Sequence, residues 1–280
     1  MISQVVEDFN LNYTLNSGQV FRWKKIQYWY YGFIGENLVG LRQEGTTLQV
    51  KETEQPDPDI ESKIRHYLGL DEDIKKIVEN LPEDEYLGPL FKRYWGLRVI
   101  RQGPWECIAS FILSAFNNVK RIQGMTDRLS KNYGISHYFN GTIFYSFPDP
   151  EKIAQASEKQ LRQLGLGYRA PYLLETARLI DSGKLNLQAL NQLEYAQIKE
   201  KLLTCPGVGE KVVECILLFA YHHLGAFPVD VWIERLMKRY YFPKRRKISN
   251  KNIQQWAKDY FGPYAGYAQQ YFYCGRMDLS

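Results

Sequence analysis

Residues 199–220 read KEKLLTCPGVGEKVVECILLFA, and this stretch decides the fold of the larger part of the chain. An amphipathic helical pattern ends near Leu203, Pro206-Gly207-Val208-Gly209 follows, and a second helical pattern starts at once. Two glycines around one apolar residue let the backbone turn tightly and approach a partner closely. The unpaired amides there form an anion site that suits a DNA phosphate. We predict a helix-hairpin-helix at about 202–215 with Gly207, Val208 and Gly209 at the phosphate; the alternative is a plain turn.

Lys211 lies in the first turn of the second helix, and Cys215 and Phe219 follow on the same face at four-residue steps. A free lysine has a pKa of about 10.4 and is therefore almost fully charged at neutral pH. Burial and the positive end of the helix dipole would both disfavour the ammonium form and make the amine available. Lys211 is thus a candidate nucleophile, and the alternative is an ordinary solvated lysine.

Asp230 lies 19 residues after Lys211, in the segment AFPVDVWIERL. Aspartate is a favourable N-cap, so a purely structural role for Asp230 is the competing interpretation. A carboxylate also stabilises an oxocarbenium-like transition state. An amine beside a carboxylate suits cleavage of an N-glycosidic bond, in which the amine attacks the sugar C1′ and forms a Schiff base.

Composition narrows the class of protein. The 280 residues are 45% hydrophobic and 24% charged, which excludes disordered, collagenous and coiled-coil chains. The sequence has no apolar run of about 18 residues and no signal-peptide pattern, so we expect a cytoplasmic protein without a membrane span. The cysteines are too far apart for a disulfide scaffold or a clustered zinc or iron–sulfur site: Cys107, Cys205, Cys215 and Cys274.

Positive charge is concentrated in the C-terminal part of the chain. The net charge is +5, and residues 201–280 contain 12 Lys and Arg against 6 Asp and Glu. The densest basic run is Lys244-Arg245-Arg246-Lys247. This distribution fits a polyanionic partner such as nucleic acid, although a solvated basic loop is the alternative.

The pattern of the chain predicts an α+β protein. Residues 10–52 contain five short segments that read as antiparallel strands, LNYTL, QVFRWKKI, YWYYGFIG, NLVGLRQ and TTLQVKE. From about residue 58 the pattern is helical, with helices predicted at 104–117, 119–132, 158–164, 170–182, 193–204, 208–223, 230–240, 249–261 and 264–277. We therefore predict an N-terminal antiparallel β-sheet domain with flanking helices over 1–98, then a large all-α helix-hairpin-helix domain over 99–280.

Several motifs in this order carry a family resemblance. They are LNSGQVFRW (15–23), LRVIRQGPWEC (97–107), NNVKRIQGM (117–125), LGLGYRAPY (164–172), LTCPGVGEKV (203–212), PVDVW (228–232) and FGPYAGYAQ (261–269). Together they resemble the 8-oxoguanine DNA glycosylase family of the helix-hairpin-helix glycosylases. The resemblance implies a bifunctional base-excision enzyme that flips 8-oxoguanine out of duplex DNA and nicks the strand as an AP lyase. It implies no required cofactor, and we expect a monomer in the cytoplasm, at the nucleoid of a prokaryote.

The resemblance also implies roles for individual residues. Lys211 would be the Schiff-base nucleophile, and Asp230 would assist cleavage of the glycosidic bond. The base pocket would comprise the Gly18 carbonyl, which accepts the N7 hydrogen of 8-oxoguanine, with Cys215, Phe219, Gln269 and Tyr273. The residues that fill the vacated duplex space and read the orphaned cytosine would be Asn117, Asn118, Arg121, Tyr168 and Arg169. The backbone carbonyls of a possible structural cation site would be those of Leu203, Cys205 and Val208.

Some positions depart from the family pattern, and other functions compete. Phe116 stands where the first asparagine of a triplet is expected, Trp232 where better-known members have histidine near a phosphate, and Tyr273 where a stacking phenylalanine is usual. Without the resemblance, Arg121 would be a solvent-facing charge and Tyr168 a packing residue.

A monofunctional alkylbase glycosylase would keep Asp230 but lack Lys211, and a non-catalytic DNA-binding module would need neither. The cysteine spacing disfavours an endonuclease-III-like protein.

Overall fold

An antiparallel sheet forms the N-terminal part of the computed structural model, which describes residues 2–52, 57–245 and 247–279. Its strands pair in the order β1-β5-β4-β3-β2. The bounds are β1 Ile2–Val5, β2 Lys24–Ile26, β3 Trp29–Ile34, β4 Asn37–Glu44 and β5 Thr47–Glu52. Leu41, Leu48 and Val50 are buried in one cluster with Ile60 and Ile64 of helix α2, Ile60–Tyr67. One face of the sheet is therefore covered by this helix, and the burial of each such side chain stabilises the fold by roughly 1.5–3 kcal/mol.

Helices form the rest of the described chain apart from one hairpin, β6 Ser136–Phe139 with β7 Thr142–Tyr145. Their bounds are α1 Leu11–Asn16, α3 Ile74–Glu79, α4 Leu87–Arg93, α5 Pro104–Leu113, α6 Val119–Tyr133, α7 Pro150–Ala154, α8 Glu158–Leu161, α9 Ala170–Asp181, α10 Leu187–Leu190, α11 Tyr195–Leu203, α12 Glu210–Phe219, α13 Val231–Tyr240, α14 Asn250–Phe261 and α15 Ala265–Cys274. Helix α12 is the central element, because all of its residues from Val212 to Phe219 are buried. It packs against α5 and α11.

The α+β class is confirmed, and the local predictions fail in four places. LNYTL forms helix α1 rather than a strand, because Asn10 caps it by accepting a hydrogen bond from the Tyr13 amide at 2.9 Å. QVFRWKKI is a strand only over Lys24–Ile26, and the first strand of the sheet, Ile2–Val5, was not predicted. The β6–β7 hairpin interrupts the predicted helical part. Neither β1 nor this hairpin belongs to a long periodic segment, so the hydrophobic pattern did not indicate them.

Helix termini in the helical part follow the expected rules. Pro104 opens α5, and Ser157 forms a capping box with Gln160 at the start of α8. The helix predicted at 158–164 ends early, because the chain passes into a π turn at Arg162–Leu166 in which Gly165 has φ +80°. The division of the chain at residues 98 and 99 stays a prediction. No helix of the described residues is both long enough and apolar enough to cross a membrane.

Candidate active site

The predicted hairpin lies between α11 and α12. The Val208 amide donates to the Cys205 carbonyl at 3.1 Å, and Gly207 has φ +80°, a backbone conformation that favours glycine. A Cβ on Gly207 would lie 2.9 Å from the Cβ of Tyr172, whereas a Cβ on Gly209 would meet nothing within 4 Å. Gly209 is the N-cap of α12 and has no side chain to bond the first amides of the helix. This end of α12 therefore presents its backbone to an open space.

Lys211 points from the first turn of α12 toward α5. Its Nζ lies 3.3 Å from Ser114 Oγ and 5.0 Å from the centre of the Phe111 ring. The side chain is half-buried, so it is not the fully solvated lysine of the alternative interpretation. Ser114 immediately follows α5, and its hydroxyl also donates to the Phe111 carbonyl at 2.7 Å. The amine is therefore held between a hydroxyl and an aromatic face.

Asp230 is the N-cap of α13, as its position in the sequence indicated. Its Oδ1 accepts hydrogen bonds from the amides of Trp232 at 3.0 Å and Ile233 at 2.8 Å. Within the described part of the chain, Oδ2 has no hydrogen-bond partner. The structural and the chemical interpretations of Asp230 are therefore compatible, since capping uses only one oxygen.

The Cys215 thiol lies within the electrostatic influence of both candidate catalytic groups. Burial raises the pKa of Cys215 to about 11; Lys211 acts to lower it, and Asp230 acts to raise it. The thiol is therefore uncharged at neutral pH. Lys211 and Asp230 therefore both lie within electrostatic range of this sulfur, although α12 and α13 are separate helices.

Gly18 and Tyr273 meet at this place from opposite ends of the chain. Gly18 has φ +76°, and a Cβ there would lie only 2.5 Å from Cε1 of Tyr273. Burial raises the pKa of the Tyr273 hydroxyl, the Arg276 charge opposes this, and Asp230 and Cys215 add to it. Gly18 thus lies against the Tyr273 ring, which is within electrostatic range of Cys215 and Asp230, and no larger residue fits at position 18 without displacing the ring.

The other two predicted pocket residues are buried. Gln269 lies one turn before Tyr273 on α15, and its Oε1 accepts a hydrogen bond from Gln270 Nε2 at 2.7 Å. Phe219 is 2% exposed, and its ring stacks on Phe111 with centroids 5.5 Å apart and an interplanar angle of 16°. Phe219 therefore contacts the ring that lies beside the Lys211 amine, and it forms part of the core.

Hydrogen bonds of two buried glutamines, Gln19 and Gln102, hold the loop that contains Gly18. We call this network the latch, and the sequence does not indicate it. Gln19 is fully buried; its Nε2 donates to the Arg98 carbonyl at 2.7 Å, and its Oε1 accepts from the Ile100 amide at 2.7 Å. Gln102 Nε2 donates to the Gln19 carbonyl at 2.8 Å, and the Gln102 amide donates to the Phe219 carbonyl at 2.7 Å. Buried amides are costly unless they are paired, so this network fixes the loop against α12. Ordinary glutamines carry no pattern that would have identified them.

Helix α12 is anchored on another side by Glu214, whose side chain is fully buried. The carboxylate accepts hydrogen bonds from Tyr195, from Lys199 at 3.1 Å and from the Phe227 amide at 3.1 Å, and it pairs with Lys258 at 3.1 Å. Burial acts to raise the pKa of Glu214, but the Lys258 charge and the Tyr195 hydrogen bond hold it below its usual value. Glu214 therefore positions the helix that carries Lys211.

The five residues predicted for the duplex face come from the start of α6 with the loop before it, and from the turn before α9. Asn118 caps α6 by accepting from the Arg121 amide at 3.0 Å, and Asn117 Nδ2 donates to the Leu113 carbonyl at 3.1 Å. The Tyr168 hydroxyl and Arg169 Nε both donate to the Ala115 carbonyl, at 3.1 and 3.0 Å. The Arg121 side chain is exposed. The loop before α6 and the loop before α9 thus form one surface beside Ser114 and Lys211.

Two further predictions concern the surroundings of the site. Lys244, Arg245 and Lys247 are exposed, and Arg246 lies outside the described residues. The described residues contain no group of three His, Cys, Asp or Glu side chains that is able to hold a metal ion. The candidate cation ligands are instead the hairpin carbonyls, of which that of Cys205 already accepts the Val208 amide.

Comparison with known proteins connects this geometry to a family. Residues 1–108 match the family model of the 8-oxoguanine DNA glycosylase N-terminal domain, and residues 109–262 match that of the HhH-GPD superfamily of base excision DNA repair proteins. The chain is 30% identical to a probable N-glycosylase/DNA lyase of Methanothermobacter thermautotrophicus, with 96% of this chain and 93% of that one covered. It is 34% identical to an N-glycosylase/DNA lyase of Saccharomyces cerevisiae, over 86% of this chain and 70% of that one.

A solved structure agrees over the whole fold. The 8-oxoguanine glycosylase/lyase of Clostridium acetobutylicum, in complex with double-stranded DNA containing cytosine opposite 8-oxoguanine, superposes with a TM-score of 0.91 at 30% identity. The match covers 99% of this chain and 98% of that chain. The chain therefore belongs to the 8-oxoguanine DNA glycosylase family within the HhH-GPD superfamily of base excision DNA repair proteins.

Proposed function

We propose that the chain is a bifunctional 8-oxoguanine DNA N-glycosylase and AP lyase that acts on double-stranded DNA as a monomer, at the nucleoid of a prokaryote. The observation that carries the proposal is the half-buried Lys211 amine, held 3.3 Å from Ser114 Oγ, in a site where Gly18 lies against the Tyr273 ring. Lys211 and Asp230 both act electrostatically on the Cys215 thiol of this site. A nucleophile, a carboxylate and a slot for a planar base are the three parts that excision of a flipped base needs.

The first step cleaves the glycosidic bond. The Lys211 amine attacks the sugar C1′ while the bond from C1′ to N9 breaks. The base leaves with the electron pair of that bond and takes up a proton that the attacking nitrogen loses. Positive charge develops on the sugar, and the nearby Asp230 carboxylate stabilises it. Ser114 Oγ accepts a hydrogen bond from Nζ at 3.3 Å and so restricts the position of the attacking amine.

The second step nicks the strand. The nitrogen lone pair forms a double bond to C1′ while the bond between O4′ and C1′ opens, and O4′ takes up a proton from solvent. The product is a protonated Schiff base between C1′ and Lys211 Nζ. Loss of a 2′ proton then forms a double bond between C2′ and C3′, and the 3′ phosphate departs. The chain supplies both the nucleophile and the carboxylate, so the proposed chemistry requires no cofactor.

The proposed base slot selects 8-oxoguanine through its N7 hydrogen, which guanine lacks. The Gly18 carbonyl accepts that hydrogen, and the N7 lone pair of guanine would leave the same carbonyl unpaired, at a cost of about 1–3 kcal/mol. The uncharged Cys215 thiol and the Tyr273 ring hold the two faces of the base. Gln269 reads its Watson–Crick edge, and Phe219 supports the slot from the core.

The duplex is held by backbone groups and by the surface around α6. Gly207, Val208 and Gly209 bind a phosphate through amides at the open N-terminus of α12. The carbonyls of Leu203, Cys205 and Val208 would hold a hard cation, since each carbonyl oxygen has two lone pairs, and the cation would add positive charge to this phosphate-binding surface. The set that fills the vacated space opposite the orphaned base is Asn117, Asn118, Arg121, Tyr168 and Arg169.

Borohydride trapping on an 8-oxoguanine duplex tests the proposal. Parent protein should form a covalent protein–DNA adduct, and Lys211→Gln should form none, because the Schiff base requires the amine. Lys184→Gln is the matched control, since Lys184 is exposed and lies outside the site. An adduct of parental yield with Lys211→Gln would show that another group is the nucleophile.

A further inference from the structure

Phe116 has an unusual environment for an apolar residue. Its side chain is 96% exposed, more than any other large hydrophobic side chain that the structure describes. Its φ is +47°, in the left-handed region that bulky residues rarely adopt. The fold therefore neither buries this ring nor relaxes its backbone. Strain of this kind persists where the surrounding structure enforces it, and it is concentrated at sites that bind ligands.

Neighbouring residues fix the backbone that carries the ring. Arg169 Nε donates to the Ala115 carbonyl at 3.0 Å, and its Nη2 donates to the Phe116 carbonyl at 3.3 Å. The Tyr168 hydroxyl donates to the same Ala115 carbonyl, and its ring lies 4.3 Å from the Arg169 guanidinium carbon. Ser114, two residues earlier, contacts Lys211 Nζ. The backbone of Phe116 is thus fixed beside the candidate active site.

We propose that Phe116 enters the base stack of the DNA at the position from which the damaged nucleotide has left, and that it stacks on the neighbouring base pairs. This inference rests on the proposed function and adds a residue to its DNA-binding surface. An aromatic ring stacks on any base because every base has a π-face, and an apolar wedge compensates for lost base stacking. The Phe116 ring has no hydrogen-bonding group, so it does not discriminate between opposing bases.

Binding of a duplex with a tetrahydrofuran abasic analogue tests the insertion. The analogue has no base to recognise, so the measurement does not depend on the 8-oxoguanine slot. Phe116→Ala should weaken this binding by about tenfold, equivalent to about 1.4 kcal/mol, and should leave binding of an intact duplex unchanged. Phe116→Trp should retain parental affinity because it keeps an aromatic face. Tyr138→Ala is the matched control, since Tyr138 is 71% exposed on β6, outside this surface.

Excision of 8-oxoguanine opposite each of the four bases tests the lack of discrimination. Phe116→Ala should slow all four reactions by the same factor, and a loss confined to one opposing base would overturn the inference. Parental binding of the abasic duplex by Phe116→Ala, with normal excision by the parent, would also overturn it. If the parent does not excise 8-oxoguanine but Phe116→Ala still loses affinity for the abasic duplex, the proposed function fails and the stacking role stands.

Discussion

Replacing Gly18 by alanine adds a methyl group where the structure has no room for one. The new Cβ would lie 2.5 Å from Cε1 of Tyr273, and ordinary contact begins near 3.4 Å, so the ring or the loop must move by about 0.9 Å. The left-handed backbone at φ +76° adds a penalty of roughly 1–2 kcal/mol for an L-residue. Gln19 resists movement of the loop, so we expect the Tyr273 ring to move instead.

This displacement should impair base excision selectively. A misplacement of about 1 Å in a substrate-positioning group costs on the order of 100-fold in rate. Gly18→Ala should therefore slow excision of 8-oxoguanine by about that factor. Strand cleavage at a preformed abasic site should change little, because that substrate has no base to place in the slot and uses the same Lys211.

Single-turnover rates on an 8-oxoguanine duplex and on an abasic duplex make the comparison. Gly35→Ala separates backbone strain from the clash, since Gly35 has φ +59° and open space around it. It should lower stability by roughly 1–2 kcal/mol and leave both rates at parental values. Excision of 8-oxoguanine by Gly18→Ala at the parental rate would refute the reasoning that the Gly18–Tyr273 contact forms a wall of the base slot.

Two predictions concern Asp230 and Glu214. Asp230→Asn should slow single-turnover base release by about 100-fold or more, because the amide carries no charge. Stability, measured by thermal unfolding, should change little, because the amide oxygen still caps α13. A parental rate of base release would contradict an electrostatic role of Asp230. Glu214→Gln should lower the free energy of unfolding by about 3 kcal/mol, because Lys199 and Lys258 lose their buried partner. The pKa of Glu214 lies below its usual 4.5, so its stabilisation is complete above that pH and is lost on acidification below it. As the pH falls below 4.5, parent protein should therefore lose more free energy of unfolding than Glu214→Gln. Equal losses would be evidence against stabilisation by the Glu214 carboxylate.

The sequence predicts Lys211 and Asp230 as candidate catalytic residues because each has a local signature. Lys211 lies two residues after the second glycine of the hairpin, and Asp230 lies two residues after a proline, at a helix start. Such signals arise from backbone geometry over a few residues, so they can be recognised without knowledge of the tertiary structure. The family resemblance then supplied the candidate roles.

What the sequence did not predict depends on contacts between distant segments or on local signals that were outweighed. The β6–β7 hairpin turns at Asn140 and Gly141, which have φ of +49° and +77° and form the dipeptide most typical of tight hairpin turns. The helical patterns on either side of this dipeptide, at 119–132 and 158–164, outweigh its short signal in the sequence. LNYTL has a composition suited to a strand, and its capping by Asn10 made it a helix. Propensity is a weak indicator where a cap or tertiary packing acts against it.

The proposed base-recognition residue and the proposed catalytic residues lie in different parts of the chain, so the proposed function requires both parts. Lys211 and Asp230 belong to helices α12 and α13, whereas Gly18, which we propose to test the identity of the base, lies in the N-terminal part between α1 and β2. Gln19 and Gln102 join the two through hydrogen bonds that end at the Phe219 carbonyl, at the last residue of α12. The residue proposed to test the base is thus fixed by hydrogen bonds to the helix that carries the proposed nucleophile. A change in this latch should therefore alter which base is removed before it alters the ability of Lys211 to form a Schiff base.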